Sequence, residues 1–477
     1  MQRVAHQELG QVVSRIQCGL CLEKQGEIFK LKEEVDRLKA ENARLRRKEE
    51  KVQTQGIFGS STPSAQRPFK EKSSEKNREK RGGAKPGHPG HGRTAATEDS
   101  ADRVVEIPLP STCPNCGGLL RPHGHRHRTI LDMAKSEMEK ILYRCARGIC
   151  GCCHKLLTTS PVVLRRAYYG NELLSQTFMR QYGHGISLGK VLQMSGPALS
   201  EGGLLNAAHD VAELLQPAID RLQKDYRASF VKHADETSWR TDGAPGYCWI
   251  FCTAKIVLFD FRDTRSATVV EGVLGKDPLP GVLIVDRYAG YNQAPCRIQY
   301  CYAHLLRDVK DLQKEFEVDV GVQRFCGTLI PLLSSAMGLR SLPLSNEDYD
   351  AKARQLKQGI EAITQESFSH LGVSHIQSIF QDRSDRLYHW VEDRRIPAEN
   401  NYAERTARKA VLARKVSFGS QSPQGAKTRG IMMSYLHTAM TRLPIEKVQP
   451  WFKDVLDQMA LNPKINPYDL LPPPTPP

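Results

Sequence analysis

The chain has 477 residues, 40% hydrophobic and 25% charged, which excludes global disorder and at ~150 residues per domain suggests about three folding units. Lys+Arg 68 against Asp+Glu 53 leaves a net charge of +15, an imbalance that points to a polyanionic partner. No apolar run reaches the ~18 residues of a membrane span and the first thirty residues lack an export-signal core, so a cytoplasmic location is expected and the 13 cysteines argue for metal ligation rather than disulfides.

The first predicted element is a helix over residues 1–52. Ile28, Leu31, Val35, Leu38, Asn42 and Leu45 follow a 3-4-3-4-3 spacing, a heptad seam. Glu27, Glu34 and Glu41 then face Lys32, Lys39 and Arg46 of a partner helix, which favours a parallel homodimer with Asn42 buried in register. A single solvated, charged helix fits the same residues. Residues 53–102 are rich in Gly, Pro, Ser and charge, with His88 and His91 among them, and read as a basic flexible linker.

A cysteine module over 103–165 comes next. Cys113-Pro-Asn-Cys116 has the two-residue spacing that lets both thiolates reach one zinc ion, and Cys150-Gly-Cys-Cys153 repeats it. Cys145 is the rival ligand for the downstream half. Cys18 and Cys21 have no evident partners and stay unassigned.

Residues 166–228 read as helical, with Ile186–Met194, a break at Ser195-Gly-Pro197 and a second run from Leu199. A DNA-binding helix-turn-helix and an ordinary helical hairpin both suit that pattern.

From 229 to 440 the pattern becomes α/β. Three apolar runs at Phe230–Trp239, Tyr247–Ala254 and Lys255–Phe261 suggest an antiparallel meander. A helix near Thr264–Leu274 follows, then a buried strand, Gly281-Val-Leu-Ile-Val-Asp286, that ends on a carboxylate. Such a residue is a candidate for chemistry or a helix cap. Glu236 beside Asp235 faces away if that segment is a strand. Further on, Asn400-Asn-Tyr-Ala-Glu404 opens a helix in which Glu404 is the one acid among Arg405, Arg408, Lys409, Arg414, Lys415, Lys427 and Arg429. It is either a helix ion pair with Arg408 or a metal ligand in a phosphate-binding surface. A mostly helical stretch over about 309–390 lies between these motifs, and 441–477 reads as a helix and an unstructured Pro-rich tail.

Together the motifs resemble the transposases of the insertion sequence 66 family, a DDE-type group. The pieces that carry the resemblance are His233-Ala-Asp-Glu-Thr237, Val285-Asp-Arg-Tyr-Ala-Gly-Tyr291, Cys301-Tyr-Ala-His-Leu-Leu-Arg307, Asn400-Asn-Tyr-Ala-Glu-Arg405 and Ala413-Arg-Lys-Val-Ser-Phe-Gly-Ser420. The order of coiled coil, linker, zinc module and helical region fits as well. The resemblance implies an RNase H-like catalytic domain with a helical insertion. Its triad would be Asp235, Asp286 and Glu404, holding two Mg²⁺ or Mn²⁺ ions for in-line phosphoryl transfer.

It further implies a structural Zn²⁺ on Cys113, Cys116, Cys150 and Cys153, and DNA contacts from Arg405, Arg408, Lys409, Arg414 and Lys415. The expected partners are double-stranded DNA (terminal inverted repeats and target), a second copy through the coiled coil, and accessory transposition proteins, in a prokaryotic nucleoid setting. His304 and Arg307 match family positions near a scissile phosphate, and a packing role suits His304 equally. Cys150 follows Cys145 by five residues rather than three, and Glu399 stands where the family pattern has Asp. The alternatives are a silent DNA-binding protein derived from a transposase, and a nuclease of the same fold that does not join strands.

Overall fold

The structure, a computed structural model, describes residues 95–134, 137–195 and 199–474. The heptad helix, nearly all of the linker, His88, His91, Cys18 and Cys21 lie outside the described residues. Among those described, no helix is long and apolar enough to cross a membrane.

The cysteine module is a sheet. Strands β1 (Arg103–Ile107), β2 (Leu120–Ala134), β3 (Glu137–Cys150) and β4 (Leu156–Thr158) all pair through β3, with order β1-β3-β2 and β4 also on β3. β2 and β3 form a long antiparallel hairpin, while β1 runs parallel to β3. Its buried residues Ile130, Leu131, Ile141 and Leu142 sit where the two strands of the hairpin pair with each other. Leu131 anchors the hairpin to the next segment, donating its N–H to the Tyr168 carbonyl and accepting from the Gly170 amide.

Helices α1 (Asn171–Phe178), α2 (Leu188–Ser195) and α3 (Glu201–Ala228) follow, with a π-helical turn, Met179–Gly183, extending α1. Ser200 caps α3 by accepting the Gly203 amide, so the helix starts where the Ser-Glu sequence marks it. Leu204, Ala208, Val211, Leu215, Leu222 and Tyr226 recur every three to seven residues and line one buried face of α3. The helix therefore serves as a spine of the core along its whole length.

A five-stranded sheet carries the larger core. It comprises β5 (Val231–Thr241), β6 (Ala244–Thr253), β7 (Ile256–Arg262), β8 (Val282–Val285) and β9 (Arg297–Tyr300), in the order β7-β6-β5-β8-β9, with α4 (Ala267–Leu274) between β7 and β8. β5, β6 and β7 are the antiparallel meander the sequence predicts, and β8 and β9 add parallel to β5. Asp242 and Gly243, at φ 52° and 77°, make the two-residue turn between β5 and β6, the geometry Asp-Gly favours. Alternation then splits β6 between two cores. Trp249 and Phe251 face one, and Cys248, Ile250 and Cys252 face the other.

After β9 the chain forms a helical block: α5 (Tyr302–Glu315), α6 (Val320–Leu339), α7 (Asn346–Gln365), α8 (Leu371–Asp382) and the short α9 (His389–Glu392). Its apolar faces join the Trp249 side of the sheet. Helices α10 (Asn401–Ser417), α11 (Pro423–Met440) and α12 (Ile445–Leu461) return to the opposite side.

α11 closes the exposed edge of β7. Ser434 and Thr438 accept the Phe259 and Val257 amides at 2.8 and 3.0 Å, so side-chain hydroxyls replace a missing strand. Gly430 permits the approach, because a Cβ there would lie 2.8 Å from the Phe259 carbonyl oxygen. The chain stays packed further than its proline-rich composition suggests. Tyr435 donates to the Pro467 carbonyl and Arg442 to that of Pro472, which is buried.

Candidate active site

β8 is short because its chemistry changes abruptly: Val282, Leu283, Ile284 and Val285 are all fully buried, and a carboxylate follows. β5 and β8 pair in parallel with His233 opposite Ile284. Two residues beyond that pair come Asp235, still within β5, and Asp286, just past the last residue of β8. Asp286 Oδ1 accepts the Tyr288 amide at 2.9 Å, which fixes one oxygen in the turn after β8. Asp235 Oδ1 accepts the Glu236 amide at 2.9 Å.

Glu404 arrives from the first turn of α10, whose N-terminus is tied to β5. Asn400 is buried and donates Nδ2 to the Ala234 carbonyl at 2.7 Å, one residue before Asp235. Its Oδ1 accepts from His233 Nδ1 at 2.9 Å, and its own amide reaches Cys301 Sγ at 3.1 Å. Burial first, then the charges of Glu236, Asp286 and Glu404, push the Asp235 carboxyl well above the usual range.

Glu404 itself faces His304 of α5, with Oε1 3.7 Å from Nδ1. Both atoms are buried and neither has a hydrogen-bond partner. Among the described residues no ion pair joins Glu404 to Arg408, the helix neighbour that sequence spacing offered. The carboxylate oxygens of Asp235, Asp286 and Glu404 do not form one of the compact donor sets among the described residues. The two sets whose donor atoms lie within 4.8 Å of each other are Cys113, Cys116, Cys150 and Cys153, and Cys301, His304 and Glu404.

Glu236 holds a position that sequence reasoning passed over. It does lie on the face opposite Asp235, beside Trp249, yet its side chain is only 2% exposed. Arg265 donates Nε to its carboxylate at 2.8 Å and Tyr291 donates its hydroxyl. Burial and the nearby Asp286 raise its pKa. The Tyr291 hydroxyl thus bolts the loop after Asp286 to β5, the ion pair ties in the segment before α4, and Arg265 also stacks 3.9 Å over the Tyr288 ring. The signal in the sequence was the paired tyrosines of Tyr288-Ala-Gly-Tyr291, whose hydroxyls need buried acceptors.

The basic residues of α10 divide by environment. Arg405, Arg408, Lys409 and Lys415 are exposed. Arg414 instead turns inward, donating to Thr237 Oγ1 at 3.3 Å and to the Ser238 carbonyl and hydroxyl, so it binds α10 to β5. After α10, Gly419 at φ 134° lets the chain run against β5, where a Cβ would meet the Arg240 carbonyl at 2.3 Å. Ser420 then accepts from Trp239 Nε1 at 3.2 Å, which accounts for the Phe-Gly-Ser sequence.

The four clustered cysteines form two matching turns. In each, the residue after the second cysteine, Gly117 or His154, has positive φ and donates its amide to the carbonyl of the first, Cys113 or Cys150. Sγ atoms of Cys113 and Cys153 lie 3.7 Å apart, and those of Cys116 and Cys150 3.3 Å. The amides of Cys153 and Cys152 hold the Cys150 thiol down at about 6. Cys145 is excluded from the set: it is buried within β3 opposite Arg126, five residues or about 16 Å of extended strand before Cys150.

Two comparisons place these features among known proteins. A protein of Sinorhizobium fredii described as "Uncharacterized protein y4jD" is 24% identical over 411 residues, covering 75% of this chain and 76% of that one. Residues 166–428 match the family model described as Transposase IS66 family, a span that takes in β5, β8 and the turn of α10 bearing Glu404. Since that match extends over more than half of the chain, this protein belongs to the IS66 transposase family.

Proposed function

We propose that the chain is a divalent-metal-dependent transposase with an RNase H-like catalytic sheet, cutting DNA phosphodiesters at the ends of an element and joining the 3′-hydroxyls to target DNA. The observation that carries this reading is the parallel register of β5 and β8, His233 opposite Ile284, with Asp235 and Asp286 each two residues beyond that pair. Sheet order β7-β6-β5-β8-β9, three antiparallel strands followed by two parallel ones, supports the fold assignment.

The residues suit hard divalent cations. Asp235, Asp286 and Glu404 offer carboxylate oxygens, the donors Mg²⁺ or Mn²⁺ prefers. Glu404 Oε1 is buried without a hydrogen-bond partner, and burial first, then the acids around it, raise the Asp235 carboxyl, so positive charge nearby would relieve both. When bound, a pair of such ions supplies activation of a water or 3′-hydroxyl and stabilisation of the leaving oxygen. The chain's own part is positional. Asp286 is oriented by the Tyr288 amide, Glu404 by the Asn400 anchor, and exposed Arg405, Arg408, Lys409 and Lys415 give α10 a cationic flank for a phosphate backbone. Zn²⁺ on Cys113, Cys116, Cys150 and Cys153 would be structural, since four thiolates leave no open position. Double-stranded DNA is the partner, at element ends and target. Dimerisation through residues 28–46 and any accessory proteins belong to the same proposal.

The test is Asp286→Asn in the full chain. Cleavage and joining of end-bearing DNA in Mg²⁺ or Mn²⁺ are lost, while DNA affinity stays within a few-fold because binding comes from basic contacts. Turnover retained in that variant overturns the assignment, and nicking without joined products in the unmodified chain restricts it to a nuclease.

A further inference from the structure

The second compact donor set is not accounted for by phosphoryl transfer. Cys301 and His304 sit three residues apart, at the N-cap and first turn of α5, on one face of the helix. Glu404 approaches from the first turn of α10. One donor atom from each, sulfur, nitrogen and oxygen, lies within 4.8 Å of the other two. We propose that Cys301, His304 and Glu404 form a second metal site, selective for a borderline cation of the Zn²⁺ type, which takes Glu404 away from Asp235 and Asp286.

Three observations support the site. His304 Nδ1 and Glu404 Oε1 face each other at 3.7 Å, too far apart for a hydrogen bond, and both are buried without another partner. Buried polar atoms left unpaired are destabilising, so a pair of them aimed at one another marks a place for a third body. Cys301 lies at the N-cap of α5, and the amide of Asn400, the residue that opens α10, donates to its sulfur at 3.1 Å and fixes its position. The backbone fixes the site from both sides, since the Tyr302 amide donates to the Ala398 carbonyl at 2.9 Å and so ties the start of α5 to the segment entering α10.

The donor chemistry separates this site from the carboxylate pair. Thiolate and imidazole suit Zn²⁺ and poorly suit Mg²⁺, whereas Asp235 and Asp286 offer oxygen alone. Three protein donors leave one tetrahedral position open to water. Binding the cation forms bonds to sulfur, nitrogen and oxygen and releases the Cys301 thiol proton to solvent, with no change of oxidation state. Existence of the site does not depend on the proposed reaction. Its consequence, that zinc at this site suppresses Mg²⁺-supported cleavage, rests on the catalytic reading of Glu404.

The experiment separates the two. The full chain, stripped of metal under reducing conditions, is titrated with Co²⁺ and with Zn²⁺, and metal content is measured after gel filtration. The unmodified chain should hold about two ions per chain, one on the four-cysteine set and one here, and Cys301→Ala and His304→Gln should each hold about one. Co²⁺ should give two classes of sulfur-to-metal absorption, and the class with a single sulfur should vanish in Cys301→Ala. Circular dichroism of the metal-free variants identifies any that fail to fold, and His304, whose side chain is partly exposed where Cys301 is fully buried, is the milder replacement. Two ions retained in both folded variants overturns the site. Micromolar Zn²⁺ should depress Mg²⁺-supported cleavage at least tenfold in the unmodified chain and not in Cys301→Ala, each variant compared with its own zinc-free rate. Equal zinc sensitivity in both overturns the regulatory consequence and leaves the metal site standing.

Discussion

Asn400 and His233 are joined by a buried hydrogen bond of 2.9 Å that fastens the start of α10 to β5 two residues before Asp235. Asn400 commits its Nδ2 to the Ala234 carbonyl, so its Oδ1 is the acceptor and His233 Nδ1 carries the proton. Burial lowers the imidazole pKa to about 4, which keeps the ring neutral near pH 7. Replacing Asn400 by Leu removes both bonds and strands their partners. Urea unfolding should show a loss of about 3 kcal/mol, and cleavage should fall more than tenfold with DNA affinity retained. Unchanged cleavage in a folded Asn400→Leu chain would show that α10 does not depend on this anchor.

Exposed basic residues on α10 should read out as salt dependence. Alanine at Arg405, Arg408 and Lys409 should lower the slope of log affinity against log salt by roughly 0.9 for each phosphate that is no longer neutralised. Fluorescence anisotropy with duplex DNA at several salt concentrations measures it. Arg414→Ala should behave differently, costing stability because its bonds to Thr237 and Ser238 hold α10 on β5. An unchanged slope in the triple variant would move the DNA-binding surface elsewhere.

Gly430 gives a sign reversal that only packing can produce. Alanine in place of a helix-interior glycine ordinarily stabilises by up to ~1 kcal/mol. At Gly430 the new methyl would press on the Phe259 carbonyl, so Gly430→Ala should lose about 1–3 kcal/mol, read by thermal melting. Gly327 in α6 has nothing within 4 Å of its Cβ position and should show the ordinary gain. Equal effects at both sites would refute the close approach of α11 to β7.

His437 on α11 predicts an acid-side loss of stability. Burial is the main cause of its pKa falling from 6.5 to about 3, with Lys409 and His184 adding like charge and the Tyr182 backbone opposing. The ring packs 5.5 Å from Phe259. Between pH 6.5 and 3 the unfolded chain binds a proton that the folded chain refuses, so stability falls as pH drops through that window and is whole above it. The contribution is about 1.4 kcal/mol per pH unit. Denaturant unfolding from pH 7 to 4.5 should show this slope in the unmodified chain and a shallower one in His437→Gln. Parallel curves would remove His437 as the cause.

The four-cysteine set should couple metal to local order. A strong chelator should raise amide hydrogen exchange in residues 111–120 and 149–158, leaving β5, β6 and β8 protected, because metal binding is folding energy for a cluster with little apolar core. Exchange that rises equally throughout would show instead that the module and the sheet unfold as one.

Much of the fold was legible because it is written in neighbours. The meander of β5, β6 and β7, the Asp-Gly turn, the buried run of β8 stopping at Asp286 and the paired Cys-x-x-Cys spacings all depend on residues a few positions apart, where periodicity and turn preference act directly. The pairing of Asp235 with Asp286 could be expected from a family resemblance, but the parallel register that brings β5 beside β8 is a property of strands 51 positions apart.

Other features were decided in three dimensions. Cys145 drops out of the sulfur cluster because β3 extends it away from the turn. Glu236, on the far face from Asp235, becomes a buried anchor because Arg265 and Tyr291 close over it. Arg414 turns inward while its neighbours face solvent, and Glu404 meets His304 rather than Arg408. Composition, spacing and charge determined which side chains this protein has available. Which of them meet was settled by the packing of helices against the two faces of one sheet, since a meeting of distant residues has no local signature in the chain.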